Sequence, residues 1–209
     1  MKVSFAITTH NETATLFKSI ESIKKNKLEK DEIVILDDFS QNQETQEILK
    51  SCSNVFYRKF CGDYSAHKNY INSKCTGDYI FQLDGDEVLS ELLLRNIHKI
   101  ILTNKVDLFW IPRINKVDGI KTEHLKKWKW SLDEHNRVNY PDYQGRLYKN
   151  KKELVWKRAV HEVISGQKTQ TKLPTNSNLD ILHIKDIQTQ IESNCRYDNM
   201  YNSDGTKKK

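Results

Sequence analysis

Glycine, proline and cysteine are scarce in this chain of 209 residues, which has 7 Gly, 3 Pro and 4 Cys. A chain so poor in glycine and proline is neither collagen-like nor dominated by flexible linkers. Its cysteines, Cys52, Cys61, Cys75 and Cys195, form no C-x-x-C pair, which argues against a zinc cluster or a dense disulfide framework. We therefore interpret them as reduced thiols of a cytoplasmic protein.

Long hydrophobic runs are also missing, and no segment has the ~20 apolar residues that a membrane-spanning helix needs. The N-terminal segment becomes polar at Thr8, Thr9 and His10, too early for the apolar core of a secretory signal peptide. The sequence therefore predicts a soluble, unsecreted protein with at most peripheral membrane contact.

Charge is concentrated in one segment. The formal net charge is +6, and Lys116–Arg158 holds twelve Lys and Arg against six Asp and Glu, so the rest of the chain is nearly neutral. Such a segment suits nucleic acid, an anionic membrane or an acidic substrate, although an ordinary solvated face is the commoner origin of a charge run. The same segment contains Trp128, Trp130 and Trp156, and aromatic faces beside cations suit a sugar acceptor that carries phosphate or carboxylate.

Short apolar runs alternate with longer amphipathic ones through the first half of the chain. We expect strands at Lys2–Thr8, Ile33–Leu36, Val55–Tyr57, Tyr79–Leu83 and Asp107–Ile111, and helices at Thr13–Lys25, Glu44–Lys50, Tyr64–Lys74 and Leu89–Leu102. This alternation predicts the α/β class, with a mostly parallel sheet flanked by helices.

The second half is less regular. We expect strands at Gly145–Tyr148, Val160–Ile164 and Leu179–Ile184, a polar loop at Lys168–Asn178, a helix at Ile187–Tyr201 and a frayed tail beyond it.

Polar residues follow three of the predicted strands. Thr8–Glu12 follows the first, Asp37 and Asp38 follow the second, and Asp84-Gly85-Asp86 follows the Tyr79 strand. Ligands of parallel sheets bind beyond the carboxyl ends of the strands, so these residues are expected to converge. Two carboxylates one residue apart suit a Mg²⁺ or Mn²⁺ ion that also binds substrate phosphates, whereas an isolated D-x-D is also common in solvated turns.

The motifs resemble those of family 2 glycosyltransferases in order and spacing. The matching segments are Val3–Glu12, Ile35–Ser40, Ala66–Asn69 and Gly77–Glu87, while Gln144–Lys149, Val160–Val163 and Leu182-His183 look like the C-terminal half of a bacterial or viral branch that makes lipopolysaccharide or polysaccharide. The resemblance implies a GT-A fold, which is a Rossmann-like nucleotide-binding sheet with a smaller, irregular acceptor region. It implies a nucleotide-sugar-binding half at 1–112, an acceptor-binding and catalytic half of the same domain at 113–201, and a flexible tail at 202–209.

The resemblance also assigns residues to the donor. Those carried over to the nucleotide-sugar are Thr8, His10, Glu12, Asp37, Asp38, Lys68 and Asp84. Asp38 would accept a charge-assisted hydrogen bond from the base, with Asp37 beside it. Lys68 stands where the family usually has Arg, so it would meet a phosphate as a point charge without the bidentate fork. Arg146 is a candidate to steady the diphosphate.

Mn²⁺ or Mg²⁺ is the implied cofactor, bound by Asp86 with help from Asp84. A divalent ion stabilises the charge that builds on a diphosphate leaving group. The family often places a metal-binding histidine some twenty residues after the base, and His183 lies 21 residues after Glu162. His161 is the rival ligand, and a hydrogen-bonded core histidine is the alternative interpretation of His183.

Glu162 is the candidate catalytic base, although the family more often has Asp after Glu here. It follows the apolar stretch Leu154–Trp156, so partial burial is expected to raise its pKa towards neutrality.

The expected function is transfer of a sugar from a nucleotide-diphosphate sugar to an acceptor hydroxyl, inverting and metal-dependent. A UDP-sugar is favoured over a GDP-sugar, and the acceptor would be a glycan, a lipid-linked molecule or another hydroxyl compound, with an anionic acceptor as one option; no specific nucleic acid is expected. One alternative is nucleotidyl transfer, which usually needs a glycine-rich loop after the first strand, and Thr8–Glu12 has no glycine. The other is a non-catalytic protein that binds nucleic acid or an anionic glycan.

Overall fold

Nine strands form one large sheet in the computed structural model, which describes residues 1–201. The described residues form eleven strands in all: β1 (Val3–Thr9), β2 (Glu32–Asp37), β3 (Val55–Tyr57), β4 (Tyr79–Asp84), β5 (Glu87–Leu89), β6 (Leu108–Asp118), β7 (Asp142–Lys149), β8 (Val155–Lys157), β9 (Val163–Ser165), β10 (Gln170–Lys172) and β11 (Ile181–Asp186). β8 and β9 form a separate antiparallel pair. The predicted flexible tail at 202–209 lies outside the described residues.

Six helices accompany these strands within residues 1–201. They are α1 (Ala14–Asn26), α2 (Gln43–Lys50), α3 (Tyr64–Asn72), α4 (Glu91–Asn104), α5 (Thr122–Trp128) and α6 (Ile187–Met200). Side-chain caps begin several of them: Asn42 accepts from the backbone of α2, Asp63 from α3 and Ser90 from α4. In the part of the chain that the structure describes, no helix combines the length and the apolar character needed to cross a membrane.

The large sheet runs in the order β3-β2-β1-β4-β7-β6-β11-β5, with β10 paired to β6. β1 pairs in parallel with β2 and β4, and β11 pairs in parallel with β6, whereas β7 and β5 run antiparallel to their neighbours. Apolar residues of β1 and β4 are fully buried because helices cover both faces. The predicted α/β class with a mostly parallel sheet is confirmed.

Several expected elements of the second half differ in the structure. The strand predicted at Val160–Ile164 is wrong in its first part, since residues 158–161 form a bend and β9 begins only at Val163. β10 lies inside the predicted polar loop at Lys168–Asn178. β6 spans residue 112, the expected boundary between the two halves of the one domain, and both halves contribute strands to the large sheet.

Candidate active site

The carboxyl ends of β1, β2 and β4 meet at one edge of the sheet, as the sequence predicted. In the parallel register Thr9 pairs with Asp37, and Thr8 pairs with Asp84. The Thr8 hydroxyl lies 3.2 Å from the carboxylate of Asp84. The polar segments that follow the three strands therefore face one common space.

The loop after β1 is ordered by the carboxylate of Glu12. Its Oε2 accepts hydrogen bonds from the Thr9 hydroxyl at 2.7 Å and from the His10 backbone N–H at 2.6 Å. Burial raises the pKa of Glu12, and these hydrogen bonds work against the rise. Glu12 thus fixes the backbone of the loop after β1, while the His10 ring is exposed.

The two acids after β2 have different surroundings. Asp37 is only 1% exposed, and its two oxygens accept from the Ser40 backbone N–H at 2.9 Å and the Ser40 hydroxyl at 2.5 Å. Asp38 is half-buried and accepts from the Phe60 backbone N–H at 2.7 Å through Oδ1. Its Oδ2 lies 3.8 Å from Nδ1 of His10. Asp37 therefore fixes the loop, whereas Oδ2 of Asp38 lies beside the exposed ring of His10.

Asp84 stands between two cations. Nζ of Lys68 lies 3.1 Å from its Oδ1, and Nη2 of Arg146 lies 2.7 Å from its Oδ2. Burial alone would raise the pKa of Asp84, but the two cations outweigh it and hold the pKa well below its usual range. The side chain is ionised at neutral pH and fixed in place.

Arg146 is almost fully buried, at 3% exposure. The same Nη2 that contacts Asp84 lies 3.1 Å from Oε1 of Glu87, which is itself buried and 2.8 Å from Nη1 of Arg113. Oε2 of Glu87 accepts from the backbone N–H of Asp84 at 3.1 Å. Arg146 therefore links Asp84 to the buried carboxylate of Glu87.

Asp86 contacts the strand β11. Its Oδ2 lies 3.3 Å from Nε2 of His183 and 2.9 Å from Nζ of Lys185. Burial pushes its pKa upwards, but the contacts with these two side chains lower it below the usual value. The ring of His161 instead packs beside Tyr197, with centroids 6.2 Å apart. The structure thus places His183, and not His161, against Asp86.

Glu162 is connected to Asp84 by Lys68, which forms ion pairs with both carboxylates. Its Oε1 lies 2.5 Å from Nζ of Lys68, and the Lys68 ammonium sits 4.9 Å from the ring centroid of Trp156. The expected upward pKa shift of Glu162 is wrong. Burial pushes the pKa up, but the charge and hydrogen bond of Lys68, together with the charge of Arg146, outweigh it, so the pKa lies below its ordinary value.

Two residues of the bend that precedes Glu162 have left-handed backbone conformations. Arg158 has a φ of 76° and His161 a φ of 51°. Such conformations cost free energy in residues other than glycine and are concentrated at functional sites. The backbone of Tyr64, at the start of α3, donates to the Ala159 carbonyl at 2.9 Å and fastens this bend beside Lys68.

Several site residues were missed by the sequence analysis: Glu87, Arg113, Asp142, Trp156 as a neighbour of Lys68, and Lys185. Glu87 directly follows the acid pair, Asp84 and Asp86, so its position in the sequence was a usable signal. Lys185 was recognisable once β11 was placed, because residues two apart on a strand share a face. Arg113 and Asp142 form an ion pair at 2.7 Å between β6 and β7, and no local sequence pattern predicts that pairing.

The turn between the two aspartates is crowded, which gives a testable prediction. A Cβ on Gly85 would lie 2.8 Å from the Thr9 hydroxyl and 3.1 Å from Oε2 of Glu12. We expect Gly85→Ala to lower the free energy of unfolding by about 1–3 kcal/mol in urea titrations, because the loop after β1 must shift. Adding Thr9→Ala should recover part of the loss. Gly85→Ala with wild-type stability would contradict this packing.

The chain belongs to glycosyl transferase family 2, whose family model matches residues 4–167. It is 30% identical over 109 residues to the uncharacterized glycosyltransferases RP128 of Rickettsia prowazekii and RT0209 of Rickettsia typhi. Each match covers 52% of this chain and 36% of the relative. The matched segment thus spans little more than a third of the length of these relatives.

Solved structures of TarS from S. aureus share the fold. TarS 1–349 has a TM-score of 0.59 at 15% identity, over 88% of this chain and 60% of that chain. Its complex with UDP-GlcNAc has a TM-score of 0.61 at 15% identity, over 88% and 59% of the two chains. The predicted GT-A fold is confirmed by this likeness.

Proposed function

We propose that this site transfers a sugar from a UDP-sugar to an acceptor hydroxyl, with inversion and with the help of a divalent ion. The observation that carries the proposal is the position of Lys68, whose Nζ lies 3.1 Å from Asp84 and 2.5 Å from Glu162. This contact brings the acid pair at the end of β4 together with a carboxylate from a distant segment. Family membership and the UDP and UDP-GlcNAc complexes of TarS support the donor class.

The nucleotide would bind at the ends of β1 and β2. Asp38 has an oxygen available for the imide N–H of uracil, which makes a charge-assisted bond to a carboxylate. Thr8 and His10 border the same space, and Glu12 fixes their loop. Asp37 acts by holding the turn through Ser40, without touching the ligand.

Asp84 and Lys68 would meet the ribose and the diphosphate. Lys68 is only 2% exposed and already faces two carboxylates, so it is a fixed positive charge at the point where diphosphate charge develops. Arg146 would keep Asp84 ionised and oriented rather than bind phosphate directly.

The residues around Asp86 suit a divalent ion. Asp86 and His183 approach to 3.3 Å, so one carboxylate and one imidazole face the same point. Residues 1–201 contain no cluster of three or more His, Cys, Asp or Glu arranged as a complete metal site. The two side chains would hold Mn²⁺ or Mg²⁺ together with oxygens of the diphosphate. When bound, the ion supplies Lewis-acid stabilisation of the leaving group.

Glu162 would be the base. Its depressed pKa keeps it ionised at neutral pH, so it can accept the proton of the acceptor hydroxyl. As that proton moves to Glu162, the acceptor oxygen bonds to the anomeric carbon, and the bond from that carbon to the diphosphate oxygen breaks. The electron pair leaves with UDP. A single displacement of this kind inverts the anomeric centre.

Nucleotidyl transfer is less well supported by the loop after β1. A phosphate loop presents free backbone N–H groups to its ligand. Here the His10 N–H already donates to Glu12, whose carboxylate would repel phosphate.

We further propose a glycan or lipid-linked acceptor and a cytoplasmic location. We propose that residues 1–112 bind the donor and that residues 113–201 bind the acceptor and supply the base, within the same domain.

A thermal-unfolding screen of UDP- and GDP-sugars, each with and without Mn²⁺, tests the proposed donor. We expect UDP-sugars with Mn²⁺ to raise the midpoint by about 5–10 °C near saturation, because ligand that binds the folded state stabilises it. Release of UDP should follow when an acceptor, or slowly water, is present. Stabilisation by GDP-sugars alone, or by no nucleotide at all, would contradict the proposal.

A further inference from the structure

The ammonium of Lys185 forms an ion pair with the carboxylate of Asp86, which the divalent ion would need as a ligand. Its Nζ lies 2.9 Å from Oδ2 of Asp86, the oxygen that also faces His183. The Lys185 and Asp86 side chains are 17% and 28% exposed, so bulk water screens this pair only in part. The contact joins the turn after β4 to β11.

The two side chains that contact Asp86, those of His183 and Lys185, differ in how far they can move. His183 and Lys185 lie two residues apart on β11 and so share one face of the strand. His183 is fixed, because its Nδ1 lies 2.8 Å from Oδ1 of Asn115 and its backbone pairs with Glu87. Lys185 has one polar side-chain contact among the described residues, the one to Asp86, and a flexible four-carbon stem. His183 can stay in place while Lys185 moves.

An ammonium and a divalent cation cannot share this oxygen at low cost. A metal ion bound to Asp86 would lie within a few ångströms of the Lys185 ammonium, and like charges at such distances repel strongly in a partly buried site. The ion must therefore displace Lys185. The displaced ammonium then needs another anion, and the donor diphosphate is the anion that the proposed reaction brings.

We propose that Lys185 is an internal cation that competes with the divalent ion for Asp86 and is released to the diphosphate when the donor binds. The inference rests on the proposed metal site. It makes metal binding and nucleotide binding mutually dependent: the ion binds weakly to the free protein and more tightly when UDP is present. Because the coupling is reciprocal, the metal tightens UDP binding by the same factor.

The test is a titration of the full chain with Mn²⁺, followed by electron paramagnetic resonance, with and without UDP. We expect Lys185→Met to bind Mn²⁺ about tenfold more tightly than the wild type in the absence of UDP, because the competitor is gone while the apolar stem remains. UDP should tighten Mn²⁺ binding in the wild type and have a smaller effect in Lys185→Met.

Two variants serve as controls. Lys185→Arg keeps the charge and should bind Mn²⁺ as the wild type does. Lys116→Met removes the same charge from an exposed position beside Ile184, the neighbour of Lys185, and should change the affinity by less than twofold. Circular dichroism confirms that each variant is folded.

The outcomes separate this inference from the proposed function. Mn²⁺ affinity in Lys185→Met that equals the wild-type value, or is weaker, overturns the role of Lys185 even if UDP-sugar turnover is normal. Absence of Mn²⁺ binding in every variant overturns it as well, and removes the metal site. If UDP neither binds nor is released from any UDP-sugar, the proposed function fails, while the comparison of Mn²⁺ affinities without UDP still decides the role of Lys185.

Discussion

Asp86→Ala is expected to remove metal-dependent turnover while leaving the fold intact. Asp86 is the carboxylate that faces both His183 and Lys185, and its ionised state is reinforced by them. Without it the proposed ion loses an anionic protein ligand, and the diphosphate loses the stabilisation that the ion would supply. We expect kcat/KM for UDP release to fall by about 10²–10³-fold or more, which corresponds to the loss of a principal electrostatic contact.

The matched control is Asp118→Ala, which removes an acid from an exposed position at the end of β6. It should retain wild-type activity. Asp86→Ala should also lose Mn²⁺ binding in the titration, while its circular dichroism spectrum stays unchanged. Full activity in Asp86→Ala would show that the metal, if used, is held elsewhere.

Glu162→Gln is expected to lower kcat by about 10²–10⁴-fold, the usual contribution of a general base. Glutamine keeps the shape of the side chain and can still accept from Lys68, but it cannot take the proton of the acceptor. The donor KM should stay within about threefold, because an interaction made only in the transition state is lost. If only KM changes, the base lies elsewhere. Glu153→Gln, at an exposed position, is the control.

The pH dependence follows from the depressed pKa of Glu162. The wild-type rate should fall only below the ordinary range of glutamate, about 4.3, because the base stays ionised until then. In Glu162→Gln this acidic limb should disappear. A limb near neutral pH in the wild type would show that Lys68 does not lower the pKa of Glu162 as its position requires.

The lowered pKa of Glu162 also determines how its contribution to folding stability changes with pH. A carboxyl group whose pKa is lower in the folded state contributes stability above its unfolded pKa and loses it as the pH falls through the folded pKa. Glu162→Gln should therefore cost most stability at neutral pH and progressively less below the ordinary pKa of glutamate. Urea unfolding at several pH values measures this trend.

The first half of the fold was accessible from the sequence because its strands are buried on both faces. The run at Ile33–Leu36 is continuous and apolar, and Tyr79–Leu83 is apolar except for the buried Gln82. The polar residues that follow these two runs mark the edge where the strands end. The segment Asp84-Gly85-Asp86 was therefore placed at that edge, where β4 ends at Asp84. Register then brings Thr8 beside Asp84 without any further information.

The second half was harder to predict because its elements are short and its contacts are distant in sequence. β8, β9 and β10 have three residues each, too few for a period to show. The ion pair from Lys68 to Glu162 joins α3 to a bend that periodicity suggested was a strand. The pKa of Glu162 was predicted with the wrong sign because burial was visible in the apolar flank, whereas its cationic partner was not.

The most direct test of a common site for the acid pair and Glu162 is a crystal structure of the protein with UDP and Mn²⁺. We expect the diphosphate and the ion at Asp86 and His183, the uracil at Asp38, and Glu162 facing the sugar side of the diphosphate. A structure with UDP bound away from the ends of β1, β2 and β4, or with Glu162 turned away from the bound nucleotide, would contradict the proposed mechanism.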